Sequence, residues 1–408
     1  MNEVRVFQDH LPNGLHLLGE YNPNAKSAAL GFFVRTGSRD EERPESGVSH
    51  FLEHMMFKGT AKRKALDITF DLGRIGAQAN AFTSEENTVY YGTVIPRYFS
   101  ALQELLSDML RPALDSHEFD TEKGVILEEI ALYQDRPNFY LFEKAMGDYF
   151  SGHKAGNSVL GSVESIKALT RDQMKAYFDR RYSPNNITLV ASGNFNWNEF
   201  CRDAATYCSA WQTFETPRSL TRHASLPRQF EYRKPNLNQG HVLLMTEGCG
   251  AQDEERFALA LLSSITGDST GSRIYWELVE PGLAESAGAE NDERDGLGLF
   301  MAYAGTDPVR IDEVSAKLKA IVSTPRNFSD DELERARTRM LSRIALDGEV
   351  PMSRLMSLGS EWTYRKRIHN LHEQLERFRK VNRAEIDAAL ERFKLSNWSE
   401  FRLLPAQA

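Results

Sequence analysis

His50-Phe51-Leu52-Glu53-His54 sets two imidazoles and a carboxylate within five residues. On a helix, positions 50, 53 and 54 are i, i+3 and i+4, so all three side chains project from one face. Two imidazoles four residues apart can chelate one ion. A carboxylate a turn from His50 is close enough to take a proton from a water that the ion activates. With 10 His among 408 residues, an H-x-x-E-H arises by chance only about 0.02 times per chain, so coincidence explains it poorly. Two His and one carboxylate are the usual ligands of a catalytic zinc that keeps a position open for water. The third ligand should come from another helix, and Asp120–Asp135 (DTEKGVILEEIALYQD) offers Glu122, Glu128 and Glu129.

The motif lies in Pro44–Lys58, where Pro44 and Glu45 suit a helix start, Gly59 suits a stop, and Val48, Phe51, Leu52 and Met55 supply a buried stripe. Further helical periods run over 65–76, 97–112, 117–134 and 164–180. Ser27–Thr36 and Asn186–Ser192 are rich in strand formers and bounded by turn residues. Strands and helices do not alternate strictly, which predicts an α+β fold, a mostly antiparallel sheet packed against helices, over a Rossmann or barrel fold. Gly73–Gln78 (GRIGAQ) lacks the glycine spacing of a dinucleotide loop.

The chain also repeats itself. Asp40-Glu41-Glu42-Arg43 recurs as Asp253-Glu254-Glu255-Arg256, an offset of 213 that also carries Tyr90 to Tyr303 and Gly92-Thr93 to Gly305-Thr306. An offset of 214 carries Ile130-Ala131-Leu132 to Ile344-Ala345-Leu346. This predicts two homologous domains, 1–212 and 229–408, joined by a polar linker, 213–228, that carries Pro217 and Pro227. The offsets move His50, Glu53 and His54 onto Ser263, Thr266 and Gly267, and Glu129 onto Arg343. The second half has therefore lost the metal set. The repeated Asp-Glu-Glu-Arg tetrad reads as a loop-to-helix feature with local ion pairing.

Composition narrows the class. With 41% hydrophobic and 26% charged residues the chain is globular, and a net charge of −9 argues against nucleic-acid binding. There is no apolar run of the ~18–20 residues a membrane span needs and no basic-then-apolar leader, so a cytoplasmic location is expected. Cys201, Cys208 and Cys249 cannot build a disulfide framework, which suits a reducing compartment.

H-x-x-E-H is the inverted zinc motif. HFLEHMMFKGT (50–60), followed by EKGVILEEI (122–130), NAFTSEENTVYYG (80–92), YQDRP (133–137) and YSPNNITLVASGN (182–194), resembles the pitrilysin and mitochondrial-processing-peptidase family of zinc metallopeptidases. The resemblance implies a zinc endopeptidase for short or unfolded peptides, with one Zn2+ held by His50, His54 and Glu129, Glu53 as general base, and Glu122 as a second glutamate that supports the site. Seven residues along a helix are about 10 Å apart, so Glu122 would act from behind a ligand and not share the ion. Glu128 is expected to face solvent. The resemblance also implies that Asn80, Ala81 and Phe82, in the alternating run Gln78–Thr83, hold the substrate as an added strand, and that the inert half forms the facing wall of a chamber. Relatives carry an Arg and a Tyr in the second half where this chain has Val279 and Glu285. Either another side chain substitutes, or a partner subunit bearing the pair completes the site, or turnover is weak; the partner is favoured, since the resemblance implies a dimer, of two copies or with a metal-free paralogue. The alternative is a catalytically silent assembly subunit.

Overall fold

In the computed structural model, which describes residues 3–406 except Arg222, Ala224, Ser225 and Ser269, the two expected strands form the middle of a six-stranded sheet. Three of the four exceptions belong to the 213–228 linker, so that part of the linker lies outside the described residues. The strands are β1 (Arg5–His10), β2 (His16–Tyr21), β3 (Ala28–Val34), β4 (Gln78–Thr83), β5 (Thr88–Val94) and β6 (Ile187–Gly193), in the order β1-β2-β6-β3-β5-β4. Every pairing is antiparallel except β2 with β6. Every residue of β3 and β6 is buried, which is why their sequences read as unbroken runs of small and apolar residues.

A second sheet contains β7 (Gln229–Lys234), β8 (Gly240–Gly248), β9 (Ser286–Arg294), β10 (Leu297–Thr306) and β11 (Ser399–Pro405), in the order β7-β11-β8-β10-β9. Again one pairing, β7 with β11, is parallel. The repeat is therefore structural: β11 starts 212 residues after β6, and helix Asp330–Gly348 lies 214 residues after helix Ser116–Gln134. The architecture is the α+β class expected.

The compact units are not simple consecutive blocks. One contains residues up to 131, 157–219 and 346–370; the other contains 132–156, 220–345 and 371 onward. Each half lends a helix to the other half's sheet, which the boundaries 1–212, 213–228 and 229–408 do not capture. Helix Pro137–Tyr149 lays Leu141, Ala145 and Met146 on Leu243, Met245, Met301 and Phe401. Helix Pro351–Arg365 lays Leu355, Leu358 and Trp362 on Leu18, Phe33, Val89 and Val190. The physical demand is plain: a sheet that is apolar on both faces needs a cover on each. Gly359 makes one cover possible, because a Cβ there would sit 2.2 Å from the Phe33 ring. Arg354 then forks onto Glu20 at 2.7 and 2.6 Å in a buried ion pair.

Two helix expectations need correction. The motif helix runs Val48–Met55, not Pro44–Lys58, because Gly47 sits at φ +90° and Pro44 belongs to a separate turn, Arg43–Glu45. The period at 164–180 is two helices, Val163–Ala168 and Arg171–Arg181, because the Thr170 side chain caps the second one at the Gln173 N–H. Among the described residues no helix is long and apolar enough to cross a membrane.

Candidate metal centre

The motif helix is held at both its start and its flank. Glu41, fully buried, accepts the Gly47 N–H at 2.7 Å and the Ser49 N–H at 2.8 Å, so a carboxylate caps the positive end of the helix. Burial pushes the Glu41 carboxyl up to about 7, although those two N–H groups favour its ionised form. Ser49 Oγ meets the Tyr177 hydroxyl at 2.6 Å. Phe51 stacks on Phe119 at 4.7 Å, which locks the motif helix to Ser116–Gln134, the helix that carries the glutamates.

That packing brings three of the expected residues together. Glu129 Oε2 lies 3.7 Å from His50 Nε2 and 3.5 Å from His54 Nε2, and one ligand atom from each residue lies within 4.8 Å of the others. Among the described residues this is the one His/Cys/Asp/Glu group spaced to hold an ion. A tetrahedral zinc with bonds of about 2.0–2.1 Å wants its donors about 3.4 Å apart, and Glu129 Oε2 stands near that spacing from both imidazoles. Glu122 stands outside the cluster. Its Oε1 lies 2.8 Å from His54 Nδ1, and its Oε2 pairs with Lys58 Nζ at 2.6 Å. A carboxylate there favours a proton on His54 Nδ1, so Nε2 is the ring nitrogen that would turn to an ion beside Glu129. Glu128 is exposed.

The electrostatics match that division of labour. Burial, with the neighbouring His54, pushes the His50 imidazole down to about 3, so it is a neutral donor. Burial would lower His54 too, but its bond to Glu122 and the charges of Glu129 and Glu53 outweigh it and raise the ring. The Glu122 carboxyl is raised by burial, yet its bonds to His54 and Lys58 prevail and hold it below its ordinary value. Glu53 goes the other way: burial raises it, and the Glu129 charge adds to the rise against the opposing effects of Thr83 and His54. A carboxylate with raised proton affinity suits a general base.

β4 is the edge strand of its sheet; among the described residues it pairs with β5 alone. Thr83 at its end reaches Glu53, its Oγ1 donating to Oε2 at 2.6 Å. Strand alternation then puts Ala79 and Ala81 on the same face as Thr83, and Asn80 and Phe82 on the other. Phe82 is 40% exposed, with the Tyr91 ring 6.3 Å away.

Residues 17–163 match the family described as Insulinase (Peptidase family M16), and residues 168–340 match the peptidase M16 inactive domain. The chain belongs to peptidase family M16. An uncharacterized zinc protease of Streptomyces coelicolor is 33% identical over 338 residues, which is 80% of this chain and 73% of the relative. Another from Bacillus subtilis is 28% identical over 374 residues, 91% of each. A protease from Helicobacter pylori superposes with a TM-score of 0.89 at 20% identity, over 98% of this chain and 100% of that one. A Pseudomonas fluorescens structure described as a peptidase M16 inactive domain gives 0.91 at 17%, over 99% and 98%. These two structures share the fold.

In the M16 inactive half, Ser263 donates to Leu259 O of its own helix at 2.9 Å, and Arg343 pairs with Asp268 at 3.5 Å. Val279 ends a short helical turn, Tyr275–Val279, and Glu285 is exposed and accepts from Gln239. Sequence reasoning missed three residues near the metal set. Lys58 had a signal, since it lies four residues after His54, just past the end of the motif helix. Thr83 had a weaker one, strand parity. Glu41 had only its place in the repeated tetrad. The tetrad's pairing is not merely local: Asp40 meets Arg181 and Arg218, and Asp253 meets Arg392.

Proposed function

We propose that this M16 chain is a zinc-dependent endopeptidase that hydrolyses short or unfolded peptides. The observation that carries the reading is the convergence of His50, His54 and Glu129 from two helices, with Glu53 beside them and an edge strand alongside. One Zn2+ held by those three side chains would lower the pKa of a water toward ~7 and polarise the scissile carbonyl. Glu53 accepts a proton at Oε1, the oxygen that Thr83 leaves open, and returns it to the leaving amine. Lys58 and Glu122 hold the His54 ring in its tautomer. A peptide lies along β4 as an added strand beside Asn80, Ala81 and Phe82. Backbone pairing of that kind takes any extended segment but no folded one. The net charge of −9 favours basic peptides.

Because Val279 and Glu285 stand where relatives carry Arg and Tyr, the working form in this reading pairs this chain with a metal-free paralogue able to supply the pair, and a dimer of two copies would need another side chain in their place. The three cysteines are all unbridged, which supports a reducing, cytoplasmic setting. An intact ligand set and relatives named zinc proteases do not favour a silent assembly subunit.

Metal analysis paired with a peptide-library digest tests the reading. The expected result is one zinc per chain, cleavage abolished by chelator, and a Glu53→Gln protein that keeps its zinc but does not cut. Absence of stoichiometric zinc, or a Glu53→Gln protein as fast as wild type, refutes it.

A further inference from the structure

The geometry points to Thr83 as the positioning residue that fixes the orientation of Glu53, a role that rests on the peptidase reading above. Glu53 is buried, and among the described residues the Thr83 hydroxyl gives its carboxylate its one hydrogen bond, at 2.6 Å on Oε2. The terminal torsion of a glutamate is broad and roughly two-fold, so without a partner the carboxylate turns freely. With Oε2 held, Oε1 is the oxygen left to receive a proton, and its direction is set.

Thr83 is itself fixed. It pairs with Thr88 across the end of the β4–β5 hairpin. The tip is closed by Ser84 N–H to Asn87 O at 2.8 Å and Asn87 N–H to Ser84 Oγ at 3.0 Å. The Arg39 N–H donates to Glu85 O at 2.8 Å, and Gly37 lets its segment lie against Ser84, since a Cβ there would come within 2.2 Å of the Ser84 carbonyl. Arg39 and Glu86 form a buried ion pair at the same place. The β-branched side chain adds stiffness at χ1. Ala79 and Ala81, small and on the same face, leave room for the motif helix, so the hydroxyl can reach it.

The strand that would receive the peptide backbone also aims the base. The scissile bond and the proton acceptor therefore share a single frame, and a rigid frame of this kind is what orientation-dependent catalysis requires.

The test compares Thr83→Val, which keeps the shape and removes the donor, with Thr83→Ser, which keeps the donor. Zinc content, KM and kcat are measured for both beside wild type on one cleaved peptide. The expected pattern for the Val variant is wild-type zinc, KM within about twofold, and kcat lower by about 10- to 100-fold, with Ser restoring most of the loss. Cleavage by wild type with unchanged kcat in the Val variant overturns this inference and leaves the peptidase reading standing. Zinc-loaded wild type that cuts nothing overturns both. Should the Val variant lose zinc or fail to fold, the Ser variant decides: near-wild-type kcat supports the role, and a loss in KM or zinc with kcat untouched overturns it.

Discussion

Zinc affinity should depend on Glu122, which touches no ion itself. Its carboxylate bridges His54 Nδ1 at 2.8 Å and Lys58 Nζ at 2.6 Å, and its side chain is only 4% exposed. Glu122→Gln keeps the shape but has one oxygen for two donors. If the amide oxygen serves His54, the NH2 group faces the Lys58 ammonium, donor against donor. If it serves Lys58, the NH2 group faces His54 Nδ1 and drives the ring proton to Nε2, the atom 3.5 Å from Glu129. Either way a charge-assisted hydrogen bond of about 1.5–3 kcal/mol is lost. At about 1.4 kcal/mol per tenfold, zinc should bind about 10- to 100-fold more weakly. Competition against a chromophoric chelator at neutral pH measures this directly. Glu129→Gln, which alters a donor atom, should weaken binding further. A folded Glu122→Gln protein with wild-type zinc affinity would show that the His54–Glu122 contact is packing alone, and the reasoning from tautomer to affinity would fail.

Two further outcomes concern the scaffold. Glu41 holds its proton up to about 7 when folded, against an ordinary value of 4.5, so between these values the native state binds more protons than the unfolded one. Stability should therefore fall as pH rises through that window and level off above it, by up to about 3 kcal/mol. Glu41→Gln should flatten the slope in urea unfolding, and an identical slope in both proteins would refute the assignment. Gly359→Ala forces a methyl to 2.2 Å from the Phe33 ring and should cost about 1–3 kcal/mol in the same unfolding experiment; an unchanged midpoint would mean that the ring has room to move.

How far the sequence could be read depends on the range of each interaction. His50, Glu53 and His54 are legible because one helical turn brings them together. Glu129 is not legible by spacing, since 122, 128 and 129 lie on one helix and only the family resemblance chooses among them. Packing explains the choice afterwards: Phe51 on Phe119 sets the rotation of the two helices, and the residue two turns from Glu122 ends up facing the imidazoles. The exchange of helices 137–149 and 351–365 could not be foreseen, because an amphipathic pattern states that a helix has an apolar face but not which sheet will cover it. The start of the motif helix is set from outside it for a similar reason. Pro44 is a good local signal for helix entry, but Glu41 from outside the helix supplies the actual cap.

The two halves of this duplicated fold differ where a helix meets an edge strand. In the first half the motif helix approaches β4 through side chains, Glu53 meeting Thr83, and that leaves space for the Glu53 carboxylate, two imidazoles and Glu129. In the second half the corresponding approach is made by backbone. A Cβ on Gly267, the counterpart of His54, would lie 2.5 Å from the Ala289 nitrogen of β9, 2.9 Å from the Gly288 carbonyl carbon and 2.8 Å from Ile274. No rotamer of histidine avoids its own Cβ. Ser263, in place of His50, spends its hydroxyl on the helix it belongs to, and Arg343, in place of Glu129, brings positive charge to the position. The ligands of the second half are thus not merely substituted: the room for them is closed by contact between main chains. Restoring one residue at a time cannot reopen it, since the helix must first move off the strand, and that would expose the apolar contacts among Leu259, Leu262, Ile265 and Phe300 that hold it there. The inertness of the second half is thus a property of its packing, and in the proposed peptidase the first half would depend as much on the gap that side chains keep open as on its metal-binding side chains.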